Sequence, residues 1–118
     1  MIEIAIDGPA ASGKGALGKK LSDKYNFPYL DTGILYRKVA YELIKNNIKN
    51  IENLEIACCN FAKNLNLKEF KNQNLRTEDI AKLASKIANF PNLRKILNNK
   101  QKEFSNFNKK KFGGCILD

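Results

Sequence analysis

Gly8-Pro9-Ala10-Ala11-Ser12-Gly13-Lys14 fits the first seven positions of the phosphate-binding pattern G-x-x-x-x-G-K-[ST]. The chemistry of such a stretch is anion capture. Successive backbone N–H groups in a glycine-rich turn form a concave anion site, and the N-terminus of a following helix adds its positive dipole end. Lys14 supplies a compact, mobile cation able to reach the β- and γ-phosphates of a nucleotide. The eighth position departs from the pattern, because Gly15 stands there and Ala16 follows. The hydroxyl that normally meets Mg²⁺ is therefore missing from both places, and Ser12 carries the only hydroxyl of the loop. Phosphate cradling is expected to survive this change, with metal positioning weakened.

Other chemistries are thinly supplied. The chain has no His, which removes imidazole acid–base catalysis and His-ligated metal sites. Cys58 and Cys59 are adjacent and Cys115 is distant, an odd count that suits neither a disulfide framework nor a four-ligand zinc site. Ordinary buried thiols are expected. The formal net charge of +9 sits almost wholly in residues 61–118, with 13 Lys/Arg against 5 Asp/Glu, compared with 8 against 7 in residues 1–60. A basic half invites an anionic partner such as a nucleotide, a nucleic acid or a membrane surface. A non-catalytic nucleotide- or RNA-binding module is the alternative this charge raises. Nucleic acid is not the expected partner, because the aromatic residues do not interleave with the basic ones as stacking platforms would.

The loop needs a strand before it and a helix after it, and the flanking residues provide both. Ile2 to Asp7 is short, apolar and Ile-rich, as a strand buried in a parallel sheet would be. From Lys14 a helical pattern begins, with Leu17, Leu21 and Tyr25 along one stripe and Gly18 as a weak point; Asn26 ends it. Phe27–Asp31 reads as a second strand. Further helices are expected over about 34–46, with Leu35, Val39 and Leu43 as the core stripe, and over about 53–64. Leu65–Leu75 reads as a polar connector. Thr77 reads as the N-cap of a fourth helix, with Glu78 and Asp79 favourably placed in its first turn; Pro91 stops it after about Asn89. A fifth helix is expected to reach about Phe104, followed by a basic linker, Lys109-Lys110-Lys111, and a third buried strand from Gly113 to Asp118. Strand, loop and helix in alternation imply a parallel α/β sheet.

Three blocks sharpen the reading. Ile6-Asp7-Gly8-Pro9-Ala10-Ala11-Ser12-Gly13-Lys14-Gly15, Leu30-Asp31-Thr32-Gly33-Ile34-Leu35-Tyr36-Arg37 and Leu75-Arg76-Thr77-Glu78 resemble the bacterial cytidylate kinases, (d)CMP kinases of the nucleoside monophosphate kinase group. Ala84-Ser85-Lys86-Ile87-Ala88, Pro91-Asn92-Leu93-Arg94 and Ile116-Leu117-Asp118 extend the resemblance in the same order. It implies a P-loop NTPase-type three-layer α/β/α fold with a parallel sheet, of which this chain holds about three of five core strands. Residues 1–118 would be one incomplete domain: 1–33 the phosphate-loop core, 34–112 a helical monophosphate-binding region and 113–118 the start of the third strand. The implied reaction moves the γ-phosphoryl group of ATP to CMP or dCMP, with Mg²⁺ assisting.

The resemblance also assigns residues. Lys14, as the catalytic cation, and the loop amides from Gly8 to Ala16 would hold ATP phosphates. Thr32 and Arg37 would hold the monophosphate, Ser85 and Arg94 would read the cytosine, and Asp118 would meet Mg²⁺ through water. Tyr36 and Arg76, inside the matching blocks, are further candidates. These residue types suit the task. Arg binds two phosphate oxygens with one planar fork. Cytosine offers acceptors at N3 and O2 to Arg and Ser donors, whereas uracil would set its N3–H against a donor. A kinase for UMP or AMP is the alternative within the same class.

Two departures accompany the resemblance. The 65–75 segment is shorter than the strand-rich insertion usual in the family, and the family's lid arginines would lie beyond Asp118. Loss of one such arginine costs about 10³–10⁵ in rate in related phosphoryl transfers, so little activity is expected of these 118 residues alone. A monomer is expected once the remaining half completes the fold. The N-terminus has no signal-peptide pattern and no stretch of about 18 apolar residues occurs, so a cytoplasmic protein without membrane attachment is expected.

Overall fold

A computed structural model describes residues 2–6, 14–48, 52–66 and 74–117, with residues 14–16 described by their backbone. The elements run β1 (Ile2–Ala5), α1 (Lys14–Tyr25), β2 (Tyr29–Leu30), α2 (Gly33–Lys45), α3 (Leu54–Lys63), α4 (Glu78–Ile87), α5 (Pro91–Phe112) and β3 (Gly114–Leu117). The chain divides into two compact units, residues 1–33 with 100–118 and residues 34–99.

The first unit is a parallel sheet of order β1-β3-β2. Glu3 lies in register with Cys115 and Leu30 with Leu117. Ile2 N–H donates to the Gly113 carbonyl at 2.9 Å, Ile6 N–H to Leu117 at 2.8 Å, and Ile116 N–H to Pro28 at 2.8 Å. Parallel neighbours need crossover connections, which α1 and then α2 to α5 provide. The central strand β3 is buried, as its apolar sequence predicts. By contrast, β1 is an edge of the sheet among the described residues, and Ile2 is 52% exposed. Its Ile-rich composition reads as a buried strand, but burial also requires a neighbour on each side.

Helix α1 corrects a second expectation. Leu17 and Tyr25, two of the three residues of the proposed core stripe, are 50% and 46% exposed, while Gly18 is buried. A Cβ at Gly18 would fall 2.3 Å from the Tyr29 ring, so this glycine lets the helix backbone approach β2. Asn26, at φ 56°, turns the chain out of the helix, a conformation Asn tolerates. Gly114 is equally constrained, because a Cβ there would lie 2.6 Å from the Ile2 carbonyl and 2.7 Å from the Phe27 ring.

The second unit is helical. Leu35, Val39 and Leu43 of α2 are fully buried, with Cys58 and Ala62 of α3, Ile87 of α4, and Leu93 and Leu97 of α5. Each large aliphatic residue contributes about 1.5–3 kcal/mol by leaving water. Thr77 caps α4, its hydroxyl accepting from Ile80 N–H at 3.4 Å. Leu65 and Leu75, at the ends of the expected connector, are buried; residues 67–73 lie outside the described residues.

Pro91 starts α5 as well as following α4, because its missing N–H costs nothing in a first helical turn. The helix then runs past Phe104 to Phe112, so Lys109-Lys110-Lys111 is its last turn rather than a linker. Three cations there complement the negative end of the helix dipole. Gly113, at φ 83°, ends it.

Candidate functional site

Residues 8–13 of the phosphate loop and Asp118 lie outside the described residues. The surrounding backbone has the expected order: β1 ends at Ala5 and α1 begins at Lys14, so Lys14, Gly15 and Ala16 form the first turn of a helix. A helix start at this point orients N–H groups toward the segment before it.

Thr32 is half-buried in the turn between β2 and α2. Beside it, Gly33 N–H donates to the Asp31 carboxylate at 3.1 Å, an Asx turn that opens α2. Asp31 thus shapes the helix entry, and Thr32 is presented between strand and helix.

Within the helical unit, Tyr36 and Arg37 occupy successive half-buried positions of α2, while Ser85 on α4 and Arg94 on α5 are exposed. The Arg94 guanidinium donates a hydrogen bond to the Tyr36 phenol oxygen. Burial raises the Tyr36 pKa, an effect the cationic Arg94 opposes through charge and hydrogen bonding. The phenol is therefore a neutral acceptor for a guanidinium that carries five N–H donors in a planar fork. Arg94 itself sits in the first turn of α5, whose position is fixed by a side chain from α3: Asn92 N–H donates to the Glu55 carboxylate at 3.3 Å. A carboxylate at a helix N-terminus is favourable for its dipole.

Ser85 follows buried Ala84 on α4, and its exposed position separates its hydroxyl from a core-packing role. Arg76 is exposed ahead of α4, and its N–H donates to the Asn74 side chain at 3.2 Å. The structure thus joins two members of the candidate set, Tyr36 and Arg94. Glu55 carried no sequence signal, since its role depends on a residue 37 positions away.

Two features lie apart from these residues. Lys38 and Glu42 form an ion pair at 3.0 Å, with side chains 11% and 21% exposed, and Lys38 also lies 4.9 Å from the Tyr41 ring centroid. They line a cavity of about 240 Å³ with Phe61, Asn64, Leu65 and Asn66, none of them a candidate substrate residue. At the end of α5, Lys111 lies 5.7 Å and 5.3 Å from the centroids of exposed Phe107 and Phe112. Basic and aromatic residues do meet there, contrary to the expectation drawn from their order in the chain.

The three thiols are reduced; Cys58 and Cys115 are buried and Cys59 is half-buried. Burial, with smaller contributions from Cys59 and Glu55, pushes the Cys58 pKa up to about 12. Burial likewise raises Cys59 and Cys115. These are packing thiols and poor nucleophiles. Among the described residues, no helix is long and apolar enough to cross a membrane.

The protein-family model for cytidylate kinase matches residues 4–114. The chain is 42% identical over 115 residues to the cytidylate kinase of Bartonella tribocorum, covering 98% of this chain and 51% of that protein. Identity to the cytidylate kinase of Bartonella quintana is 42% over 116 residues, covering 98% of this chain and 51% of that protein. For that of Methylocella silvestris it is 40% over 115 residues, covering 98% and 50%. The chain spans about half the length of these curated relatives.

Proposed function

Because the chain belongs to the cytidylate kinase family, we propose that it forms the ATP-cradling and CMP-recognising portion of a kinase converting CMP or dCMP to the diphosphate. The observation that carries the cytosine reading is the Tyr36–Arg94 hydrogen bond. It restrains an arginine whose remaining donors complement N3 and O2 of cytosine, and the exposed Ser85 hydroxyl adds a donor of the same kind. A restrained guanidinium loses less freedom on binding than a free one.

In this reading Thr32 and Arg37 hold the CMP phosphate, and Arg76 is a further candidate for that anion. Lys14 and the amides from Gly8 to Ala16 hold the ATP phosphates. A CMP phosphate oxygen forms the new bond to the γ-phosphorus of ATP as the bond to the β,γ-bridging oxygen breaks, giving CDP and ADP. The chain's task is alignment and charge neutralisation, since the transition state is loose and no side chain acts as nucleophile. Mg²⁺ belongs to the proposal and its donor set fits in part. Asp118 follows directly on β3 and would hold it through water, while Gly15 and Ala16 provide no hydroxyl. A cytoplasmic location and a monomer with the family's remaining half present complete the proposal. The 118 residues by themselves turn over little substrate.

Calorimetric titration with CMP, dCMP, UMP and AMP tests the assignment. The expected order places both cytidine nucleotides at least tenfold tighter than UMP or AMP; equal weak binding of all four removes the cytosine reading.

A second reading, RNA binding, draws on Lys111 beside exposed Phe107 and Phe112. It predicts ATP-independent, salt-sensitive binding of single-stranded poly(U) in fluorescence anisotropy. Absence of binding at 50 mM salt eliminates it.

A further inference from the structure

Arg94 stands where helix electrostatics disfavour it. The start of a helix is its positive end, so a cation in the first turn is repelled there. Helix α5 opens Pro91-Asn92-Leu93-Arg94 and has no acidic residue in its first turn. It lacks a local cap as well, because Phe90, the residue before Pro91, has no side-chain acceptor for the first-turn N–H groups. Helix α4 shows the ordinary solution, with Thr77 as its cap and Glu78 and Asp79 in its first turn.

Glu55 makes up both deficits of α5 from another helix. Half-buried on α3, its carboxylate accepts from Asn92 N–H at 3.3 Å and sets a negative charge against the positive end of α5. Asn92 is two residues from Arg94, whose guanidinium donates to the Tyr36 phenol of α2. The arginine is thus held near its backbone by α3 and at its tip by α2, all within the compact unit of residues 34–99. Such placement matters, because displacing a functional group by about 1 Å can cost about 10²-fold. We propose that Glu55 is a positioning residue for nucleobase selectivity: by capping α5 from α3 it sets the place from which Arg94 reads the base. Its role needs no contact with the nucleotide, since it acts through Asn92 and the first turn of α5. This inference rests on the cytosine reading of Arg94 and deepens it.

The test is calorimetric titration of the 118-residue chain, Glu55→Ala and Glu55→Gln with CMP, UMP and ribose 5-phosphate, a phosphate ester without a base. Glu55→Ala removes both acceptor and charge. It should lower the ratio of CMP to UMP affinity about threefold or more, while ribose 5-phosphate binds as it does to the unsubstituted chain. Glu55→Gln keeps an acceptor for Asn92 N–H and should restore most of that ratio. Amide exchange provides a second readout: Asn92 should exchange about threefold or more faster in Glu55→Ala than in Glu55→Gln, with α2 amides unchanged. A CMP preference that survives Glu55→Ala overturns the positioning role and leaves the cytosine reading standing. So does a Glu55→Gln ratio no better than that of Glu55→Ala. Equal loss of CMP, UMP and ribose 5-phosphate binding also overturns it, as the mark of a merely structural residue. An unsubstituted chain without preference for CMP overturns the cytosine reading, and this inference with it.

Discussion

The Arg94 guanidinium donates to the Tyr36 phenol oxygen, joining the first turns of α5 and α2 across 58 positions of sequence. A buried-side acceptor thus restrains an arginine that is otherwise exposed. Arg94→Lys keeps the charge and loses the fork, and should weaken CMP binding about tenfold or more. Tyr36→Phe removes the restraint alone and should cost about threefold, consistent with a net hydrogen-bond contribution of about 0.5–1.5 kcal/mol. Calorimetry on both variants, with thermal melts as a folding control, provides the comparison. Undiminished CMP affinity in Arg94→Lys would remove Arg94 from the site.

Gly18→Ala should destabilise the protein although alanine is the better helix former. The propensity gain is about 1 kcal/mol. It is opposed by a Cβ placed 2.3 Å from the Tyr29 ring, an overpacking whose cost is about 1–3 kcal/mol. A lower melting temperature, partly restored by adding Tyr29→Leu, is the expected pattern. A more stable Gly18→Ala variant would contradict the close approach of α1 to β2.

Thr77→Ala should cost about 1 kcal/mol, because Ile80 N–H loses its cap. Glu55→Gln should cost less than about 1 kcal/mol, retaining an acceptor for Asn92 N–H but losing the charge favoured at the start of α5. Urea denaturation distinguishes them: the Glu55→Gln loss shrinks in high salt, whereas the Thr77→Ala loss does not.

Stability should fall in alkali. Cys58 has its folded pKa raised from 9.0 to about 12 by burial. Below pH 9 both folded and unfolded chains keep this proton, so the group introduces no pH dependence. Between pH 9 and about 12 the unfolded chain loses it while the folded chain retains it. Stability then declines by about 1.4 kcal/mol per pH unit for this one proton. Tyr36 and Cys115, also raised by burial, act in the same direction. Urea midpoints at pH 8 and pH 10.5 should separate less in Cys58→Ala than in the unsubstituted chain; an equal separation would locate the alkaline loss elsewhere.

The sequence was most informative where a pattern was local and repeated. Four-residue spacing identified Leu35, Val39 and Leu43 as a core stripe, and Thr77 with its following acids identified a cap. The same spacing misled at Leu17 and Tyr25, because periodicity gives a helix a stripe but does not provide the element that covers it. Gly18 was the contact position, and its absence of a side chain was the signal. Pro91 both followed one helix and began another, while three lysines resembling a linker formed a helical last turn. Of the candidate site, the members were legible as short blocks. The Tyr36–Arg94 and Glu55–Asn92 contacts were not, because each joins residues far apart in sequence.

The register of Ile2 with Gly114 has a consequence for biosynthesis. The first strand leaves the ribosome early and must wait for more than a hundred further residues before its partner exists. The helices between them close much shorter loops and can consolidate during that delay. Translation therefore favours a nascent chain in which α2–α4 gather first while β1 trails unpaired, making this interval the period when chaperone protection of the amino-terminal segment matters most.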